Sequence, residues 1–177
     1  MKYLIIIAFI FLLNAKTFAQ NATTEYDTCQ YLQQYAGEWK YINGTDTIKL
    51  YLRVNRYYSA QYNTVFDDLW GWHEYKHGNT IVETDYPYRF FTLPYYIDNV
   101  AAPTWSIWLF LQNCSTATNH LIGKVTDYLQ DKNRHDVYIT VNAANTQMTW
   151  HQQVSEGHLN DPYHGMTLPA NFVLIKQ

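Results

Sequence analysis

Apolar and polar residues alternate along much of this chain. Apolar side chains stand at every second position from Ile48 to Val54, and a period of two recurs from Val137 to Val141 and from Met148 to Gln152. Successive side chains of a strand point to opposite faces, so each segment is predicted to be a strand with one dry face and one wet face. Such strands are typical of an antiparallel sheet.

Turn residues separate the strand segments at short intervals. Three hairpin turns are predicted, at Asn43-Gly44, at Gly78-Asn79 and from Asn142 to Asn145. Longer loops are predicted from Pro87 to Pro103 and from His158 to Pro169. Further strand-forming segments lie at residues 39–42, 72–77, 80–84, 105–112, 121–129 and 172–176. Together these segments predict an antiparallel meander of about eight or nine strands.

One short helix is predicted before the first strand. Asp27 and Gln30 fit a capping box, and Leu32 and Tyr35 fall on one helical face before Gly37 ends the turn. The segment 21–36 is therefore expected to hold a helix of about two turns. The remainder, residues 37–177, is expected to form one domain.

A meander must protect its two edge strands, and a closed barrel removes the edges, whereas a sandwich is the competing solution. The motif Gly37-Glu38-Trp39 follows the short helix directly. At this point the chain resembles the lipocalins, in which a G-x-W on the first strand places the indole at the closed end of a barrel. The resemblance implies an all-β, lipocalin-like barrel of about eight strands, with Lys176 as the cation that packs on the Trp39 ring.

More of the chain resembles a family of secreted bacterial proteins of lipocalin-like type. The matching pieces include Asp46-Thr47-Ile48, the hairpin from Gly71 to Thr84 and the ending from Leu168 to Gln177. This resemblance implies a shape for most of the domain and supplies no established activity.

Composition excludes several classes of protein. The chain has 177 residues, of which 47% are hydrophobic and 15% charged, so one compact domain is expected and not a disordered chain or a coiled coil. The 17 tyrosines suit a pleated surface. A formal net charge of −3 provides no excess of basic residues for binding a phosphate backbone, so no nucleic-acid partner is expected. We expect a monomer.

The N-terminus has the pattern of a signal peptide. A wholly apolar run from Leu4 to Leu13 follows Lys2, and small residues stand at Thr17 and Ala19. The run is about half of the roughly 20 apolar residues that a membrane anchor needs, and no later segment is long enough to span a bilayer. Residues 1–20 are therefore predicted to be a cleavable signal, and the protein is expected in the periplasm or outside the cell.

The two cysteines are interpreted through this export prediction. An oxidising compartment allows Cys29 and Cys114 to form one disulfide bond, and the alternative is two separate buried thiols. Neither cysteine has a second one at the spacing of a zinc or redox motif.

One catalytic motif is present: residues 73–77 read His-Glu-Tyr-Lys-His and match H-E-x-x-H. On a helix, residues four apart share a face closely enough for both imidazoles to bind one zinc ion. On a strand, four rises of about 3.3 Å separate them by about 13 Å. The strand-forming Trp70 and Trp72 and the turn at Gly78-Asn79 favour a strand, so His73, Glu74 and His77 are expected to form no metal site.

No other set of titratable residues forms a catalytic pattern. The carboxylate pairs Glu83 with Asp85 and Asp67 with Asp68 are predicted to be surface charges. The dispersed histidines are predicted to be solvent-exposed or hydrogen-bonding residues: His120, His135, His151, His158 and His164.

The segment from Trp105 to Leu111 is apolar on both faces, which a simple barrel wall would not be. The helix or a loop is expected to cover Trp108 and Phe110 on the outer face, with packing beneath the N-terminal segment near Cys114 favoured. The alternative is an exposed contact patch.

Seven residues are predicted to face the lumen, where they would either fill it or line a pocket for a small apolar ligand. They are Trp39, Tyr41, Leu50, Ile107, Ile139, Met148 and Trp150. The favoured hypothesis is a secreted, non-catalytic binding protein without a cofactor. The alternatives are a carbohydrate or protein interaction module that uses exposed aromatic residues, and a zinc hydrolase.

Overall fold

The computed structural model describes residues 22–25, 27, 30–96, 105–111, 120–129, 133–155 and 166–177. Within these ranges the chain is mostly strand, with one helix of a single turn and a short 3-10 turn at Tyr86–Tyr88. The elements are β1 (Thr23–Glu25), α1 (Leu32–Tyr35), β2 (Gly37–Asn43), β3 (Asp46–Ser59), β4 (Thr64–His77), β5 (Thr80–Thr84), β6 (Ile107–Phe110), β7 (His120–Asp127), β8 (Asn133–Val141), β9 (Gln147–Val154) and β10 (Asn171–Lys176). The predicted all-β class is confirmed.

Eight of these strands close into an antiparallel barrel. Around the ring the strands follow the order β4, β3, β2, β10, β9, β8, β7 and β6. The ring closes because β6 also pairs with β4, where Ile107 lies opposite Gly71. Closure leaves no free edge in the ring, which is the advantage of a barrel over a sandwich. The predicted barrel and the three predicted hairpin turns are confirmed.

The alternation in the sequence corresponds to the inner and outer faces of the barrel. Ile48, Leu50 and Leu52 of β3 point inward and are buried, and in β9 every second residue from Met148 onward is buried. Gly123 permits the close approach of β6 and β7, because a Cβ atom there would lie 2.0 Å from the carbonyl oxygen of Trp108.

The long strand β4 has three partners on the side away from β3. β1 pairs with residues 64–66 in parallel. β6 pairs with residues 69–71, and β5 pairs with residues 74–77, where a bulge lies between Tyr75 and Lys76. After β5 the chain leaves the ring at Asp85 and turns at Tyr86–Tyr88. Glu83 and Asp85 are thereby brought beside His73, whose carbonyl accepts the backbone N–H of Asp85.

A loop covers much of the outer face of β3 and β4. Arg53 reaches out from β3 and donates to the carbonyls of Arg89 and Phe91 at 3.1 and 3.0 Å, which ties the segment 86–96 to the sheet. The Trp70 ring stacks on Trp105 with 3.9 Å between ring centroids. α1 does not cover this outer face, because its buried side chains belong to the core of the barrel.

The two aromatic residues on the outer face of β6 differ from each other. Trp108 is half-buried, and its indole N–H donates to Asp68 Oδ2 at 2.7 Å. Phe110 is 38% exposed. The hydrogen bond of the Trp108 side chain is thus to a residue of β4. The loop that covers the outer face of the neighbouring strands β3 and β4 is the one that follows β5. The favoured prediction of cover by the N-terminal segment finds no support among these contacts.

The helix is shorter than the sequence predicted. α1 is a single turn, and the carboxylate of Asp27 accepts the backbone N–H groups of Tyr31 and Leu32 at 3.1 and 2.7 Å. Asp27 therefore satisfies N–H groups at the start of the helix, as an N-terminal capping residue does. Gly37 follows with φ +115, a conformation that favours glycine, and so permits the sharp entry into β2.

The end of the barrel next to α1 has the arrangement that the lipocalin resemblance implied. The Trp39 indole donates to the carbonyl of Tyr35 at 2.7 Å, and Lys176 Nζ lies 5.1 Å from the centre of the Trp39 ring. The same ammonium donates to the carbonyl of Gln34 at 3.0 Å. Lys176 thus joins the last strand, the first barrel strand and α1, and its predicted packing on Trp39 is confirmed.

Two of the sequence predictions lie outside the described residues. They are the signal peptide over residues 1–20 and the disulfide bond between Cys29 and Cys114. Both therefore stay predictions. In the part of the chain that the structure describes, no helix has the length and apolar character needed to cross a membrane.

We expect Lys176→Met to lower the free energy of unfolding by about 2 kcal/mol, because it removes a cation–π contact and a charged hydrogen bond while it keeps an apolar stem. Lys176→Arg should retain most of this stability. Urea denaturation followed by far-UV circular dichroism measures both variants. Lys40→Met is the matched control, since Lys40 follows Trp39 on the outer face. An equal effect of Lys40→Met and Lys176→Met would contradict the prediction.

Candidate functional site

The two histidines of the H-E-x-x-H motif lie in different surroundings. Both belong to the extended strand β4, where His73 pairs with Leu50 and His77 with Asp46. The side chain of His73 is 0% exposed and that of His77 is 66% exposed. Glu74 points to the opposite face and forms ion pairs with Lys49 and Lys76. The predicted strand is confirmed, and its rise holds the two imidazoles about 13 Å apart.

His73 belongs instead to a group of polar side chains inside the barrel, which we name the lumenal polar cluster. Its members come from the end of β4, from β5 and the residues around it, and from the β7–β8 hairpin, and all are buried. They are His73, Glu83, Asp85, Ser106, Asp127 and His135. Because the strands alternate in direction, this end of the lumen lies opposite the end that holds α1, Trp39 and Lys176.

The His73 imidazole stands between two carboxylates. Its Nε2 lies 3.5 Å from Glu83 Oε2, and its Nδ1 lies 3.6 Å from Asp85 Oδ1. Both are ion-pair distances, longer than a good hydrogen bond. The close partner of the ring is Ser106, whose Oγ lies 2.7 Å from Nδ1, and the backbone N–H of His73 donates to Asp85 Oδ1 at 2.6 Å.

These neighbours determine the ionisation of the cluster. Burial alone would lower the pKa of His73, but Glu83, Asp85 and Asp127 outweigh it, so the pKa of His73 is raised. Burial raises the pKa of Asp85 as well, against the opposing effects of His73 and Ser106. The protein thus favours the charged imidazole of His73 within a group of carboxyl groups.

The carboxylates also hold the loops at this end of the barrel. Asp127 accepts the backbone N–H and the hydroxyl of Thr167 at 2.7 and 2.8 Å. Glu83 Oε1 accepts the backbone N–H of Tyr128 at 2.6 Å. His135 Nε2 lies 3.9 Å from Asp127 Oδ2. Glu83 and Asp127 therefore link the lumen to the segments that follow β7 and precede β10.

A small cavity adjoins the cluster. It offers about 10 Å³ to the centre of a water molecule, which is roughly the space that one water needs. Gln152 is fixed at its wall, because its side chain accepts the Trp150 indole N–H at 3.2 Å and donates to the carbonyl of Leu168 at 2.8 Å. The lining residues are Glu83, Val125, Thr126, Asp127, His135, Gln152 and Leu168.

Three polar atoms of the cluster are buried without a hydrogen bond in the described part of the structure. They are His73 Nε2, Glu83 Oε2 and Asp85 Oδ2. Buried polar atoms are almost always hydrogen-bonded, so each such atom calls for an explanation. No set of three histidine, cysteine, aspartate or glutamate side chains among the described residues is arranged to hold a metal ion.

The seven residues predicted to line a ligand site form the apolar part of the lumen. Six have no exposed area, and Tyr41 is partly buried against the same core. A side chain that lined a space large enough for water would keep some accessible area, so these six contact no such space. Their role toward a ligand stays a prediction. The six are Trp39, Leu50, Ile107, Ile139, Met148 and Trp150.

The prediction that the carboxylate pairs are surface charges is wrong for three of the four residues. Glu83, Asp85 and Asp68 are buried, while Asp67 is partly buried and pairs with the exposed Arg56. The error has a physical cause, because spacing along a strand does not reveal that a loop or a second strand covers a polar side chain.

The alternation of side chains along the strands could have indicated that two members of the cluster point inward. Asp127 is in phase with the inward-facing Leu121 and Val125 of β7, and His135 is in phase with Val137 and Ile139 of β8. Glu83, Asp85 and Ser106 carried no comparable signal, because their positions depend on how β5 and β6 share β4.

The free energy of unfolding is expected to fall as the pH rises above about 6.5, the ordinary pKa of histidine, because His73 is more readily protonated in the folded than in the unfolded protein. Its contribution is fully present below the unfolded pKa of about 6.5 and is lost as the pH rises through the higher folded pKa. Urea denaturation across this range should show a smaller pH dependence for His73→Gln. The exposed His151→Gln is the control, and an unchanged slope in His73→Gln would refute the assignment.

The closed antiparallel barrel is consistent with the lipocalin-like resemblance, although neither a curated protein nor a solved structure matches this chain. One family model matches residues 1–177, and its description, a family of unknown function, mentions neither lipocalins nor secretion. Because the match extends over the entire sequence, the chain belongs to this family, DUF6705.

Proposed function

We propose that this protein is an exported, non-catalytic binding protein that holds a small ligand at the polar end of its barrel lumen. The observation that carries the proposal is the buried carboxylate of Glu83, which has one oxygen without a hydrogen bond and lines a cavity within an otherwise apolar interior. Ligand sites are typically apolar and contain a few polar groups that fix orientation. The ligand is accordingly small and largely apolar, with one polar group.

One of the apolar residues predicted for the site, Trp150, is connected to the cavity wall. Trp150 pairs with Ile139 across β8 and β9, and its indole donates to Gln152 on the cavity wall. Because the cavity has the space of about one water molecule, it would take only the polar group of such a ligand, beside Glu83 and Asp127, and the apolar part would have to displace the side chains of Val125 and Leu168. Such contacts would alter the environment of Trp150.

A binding role agrees better with the burial of the cluster than catalysis does. Ser106, His73 and Glu83 are the residue types of a nucleophile, a base and an acid, and Ser106 Oγ lies 2.7 Å from the imidazole. However, Ser106 and His73 are almost fully buried, and neither lines the cavity. A nucleophile must touch its substrate, so this arrangement supports positioning of Glu83 and not bond cleavage.

Export is part of the proposal because of the N-terminal sequence. The apolar run of residues 4–13 and the small residues that follow it have the order of a signal peptide. The periplasm and the cell exterior are both places where a carrier or scavenger of small molecules would meet its ligand.

Native mass spectrometry of protein purified from its host should show a bound small molecule that dissociates on unfolding. Val125→Leu, which adds one methylene group at the cavity wall, should abolish this added mass while it lowers stability by about 1 to 3 kcal/mol. Val141→Leu makes the same change at the α1 end of the lumen and should keep the ligand. Protein without any bound mass, and without a Trp150 fluorescence response to fatty acids, retinoids or amines, would refute the proposal.

A second candidate function, the carbohydrate module, is favoured by a different observation. Five aromatic residues between positions 88 and 96 are 47% to 68% exposed. We name them the aromatic strip: Tyr88, Phe90, Phe91, Tyr95 and Tyr96. Exposed apolar surface of this kind marks interaction sites, and flat rings with hydroxyl groups suit stacking on the C–H faces of sugars. Arg53 holds the strip against the barrel through two backbone carbonyls.

If the aromatic strip binds glycans, Phe90→Ala and Tyr96→Ala should each reduce the signal on a glycan array by about tenfold, the effect of about 1.4 kcal/mol. Ile42→Ala is the control, since Ile42 is equally exposed at the β2–β3 hairpin. An array without any signal for the unmodified protein, or equal losses in Ile42→Ala, would remove this candidate.

A further inference from the structure

We propose that the ion pair between His73 and Glu83 is a pH-sensitive latch, which holds the polar end of the barrel closed while the imidazole is charged. When the imidazole loses its proton, the latch releases and the segment that follows β7 separates from β5. This inference concerns the same end of the lumen as the proposed function and goes beyond it, because the latch needs no ligand. Three features carry it: the connection that Glu83 makes, the groups that face His73, and the space beside Glu83.

The first feature is a chain of contacts across the polar end. Glu83 Oε2 lies 3.5 Å from His73 Nε2 on β4, and Glu83 Oε1 accepts the backbone N–H of Tyr128, after β7, at 2.6 Å. Among the described strands, β5 forms backbone pairs with β4 alone. The side chain of Glu83 therefore links β5 to the segment that follows β7, and this link depends on the position of one carboxylate.

The second feature is the set of groups around the imidazole. Ser106, before β6, contributes a hydroxyl oxygen at 2.7 Å from Nδ1, and β3 places the apolar Leu50 opposite His73. His135 of β8 lies beside a carboxylate of the cluster, with 3.9 Å between Nε2 and Asp127 Oδ2. The charged side chains that act on the His73 ring are Glu83 from β5, Asp85 from the residues after β5, and Asp127 from β7.

These groups make the ion pair sensitive to pH. Burial opposes a charge on the imidazole, but the three carboxyl groups outweigh burial and raise the pKa of His73. A neutral imidazole removes this positive charge from beside the buried Glu83 carboxylate, and a buried charge that loses its partner is costly. The closed arrangement therefore binds the His73 proton more firmly than an open, hydrated one, and loss of the proton favours opening.

The third feature is the small cavity beside Glu83. Its volume accommodates about one water molecule, and both Glu83 and Asp127 line it. A carboxylate that loses its ion pair is stabilised by hydration, and the cavity provides a first position for water next to it. The α1 end of the lumen is packed differently, because Leu32 and Trp39 have no exposed area there. We therefore expect the opening to be confined to the polar end.

Native-state hydrogen exchange of the purified full chain tests the latch over a series of pH values that begins at about 6. The protection factor of the Tyr128 amide, corrected for the intrinsic exchange rate at each pH, should fall at least tenfold as the pH rises above about 6.5. The Asn142 amide is the control, since it donates to the carbonyl of Gln147 at 3.0 Å in the β8–β9 hairpin at the opposite end. Its protection factor should stay constant.

Low concentrations of urea distinguish local opening from global unfolding. Exchange through global unfolding accelerates with urea, because unfolding exposes a large surface, whereas exchange through a local opening changes little. The fall in protection at Tyr128 should therefore be the same with and without low urea. A fall that grows with urea would assign the exchange to global unfolding and overturn the latch.

Two pairs of variants assign the pH dependence to the ion pair. Glu83→Gln keeps an acceptor for the Tyr128 N–H but carries no charge, and His73→Gln removes the titrating group. In both variants the protection of Tyr128 should no longer depend on pH. Glu74→Gln and His151→Gln make the same changes outside the cluster and should retain the dependence. Thermal unfolding verifies that the variants fold, and if one does not, the pH series on the unmodified protein still decides the question.

The outcomes separate this inference from the proposed function. Protection of Tyr128 that is independent of pH, or that changes equally with that of Asn142, would overturn the latch. Retention of the full pH dependence in His73→Gln or in Glu83→Gln would overturn it as well. A latch found in a protein that carries no bound mass would support this inference and count against the proposed function, and the reverse combination would do the opposite.

Discussion

Closure of the ring between β4 and β6 is the constraint on which the rest of this structure depends. Three residue pairs, from Leu69 with Leu109 to Gly71 with Ile107, join the first half of the meander to the second and remove both edges. Once the ring is closed, the inside is a single space. The alternation of side chains along each strand decides which of them point into it. Because β6 occupies only part of the length of β4, the rest of that edge pairs with two further strands, β5 at residues 74–77 and β1 at residues 64–66.

The interior that results has two chemically different ends. At the α1 end, Trp39, Tyr35 and Leu32 pack without accessible area, and Lys176 contacts this end through the Trp39 ring and a backbone carbonyl. At the opposite end, carboxylates accept hydrogen bonds from the loops that follow β7 and precede β10. Packing stabilises the first end, whereas the second depends on buried charge, which is costly unless it is balanced.

The buried carboxylate of Glu83 has two roles, since it holds a loop and takes part in the charge balance of the cluster. Glu83 uses one oxygen to accept the Tyr128 N–H and leaves the other beside His73. We therefore expect a change in the charge of Glu83 to change the stability of the adjoining loop. The raised pKa of His73 belongs to the same balance, because a charged imidazole offsets the carboxylates beside it.

The sequence by itself determined the all-β class, the positions of the hairpins, the extended form of residues 73–77 and the contact of Lys176 with Trp39. These features follow from local alternation, from turn residues and from a motif shared with lipocalins, so each is encoded within a short stretch or a recurrent pair. Only the tertiary structure decided that Glu83 and Asp85 are buried and that Ser106 meets His73. These contacts join segments more than ten and more than thirty residues apart, and the partial pairing of β4 with two strands creates them. No local pattern specifies which strand will cover a carboxylate, because burial is a property of the closed ring.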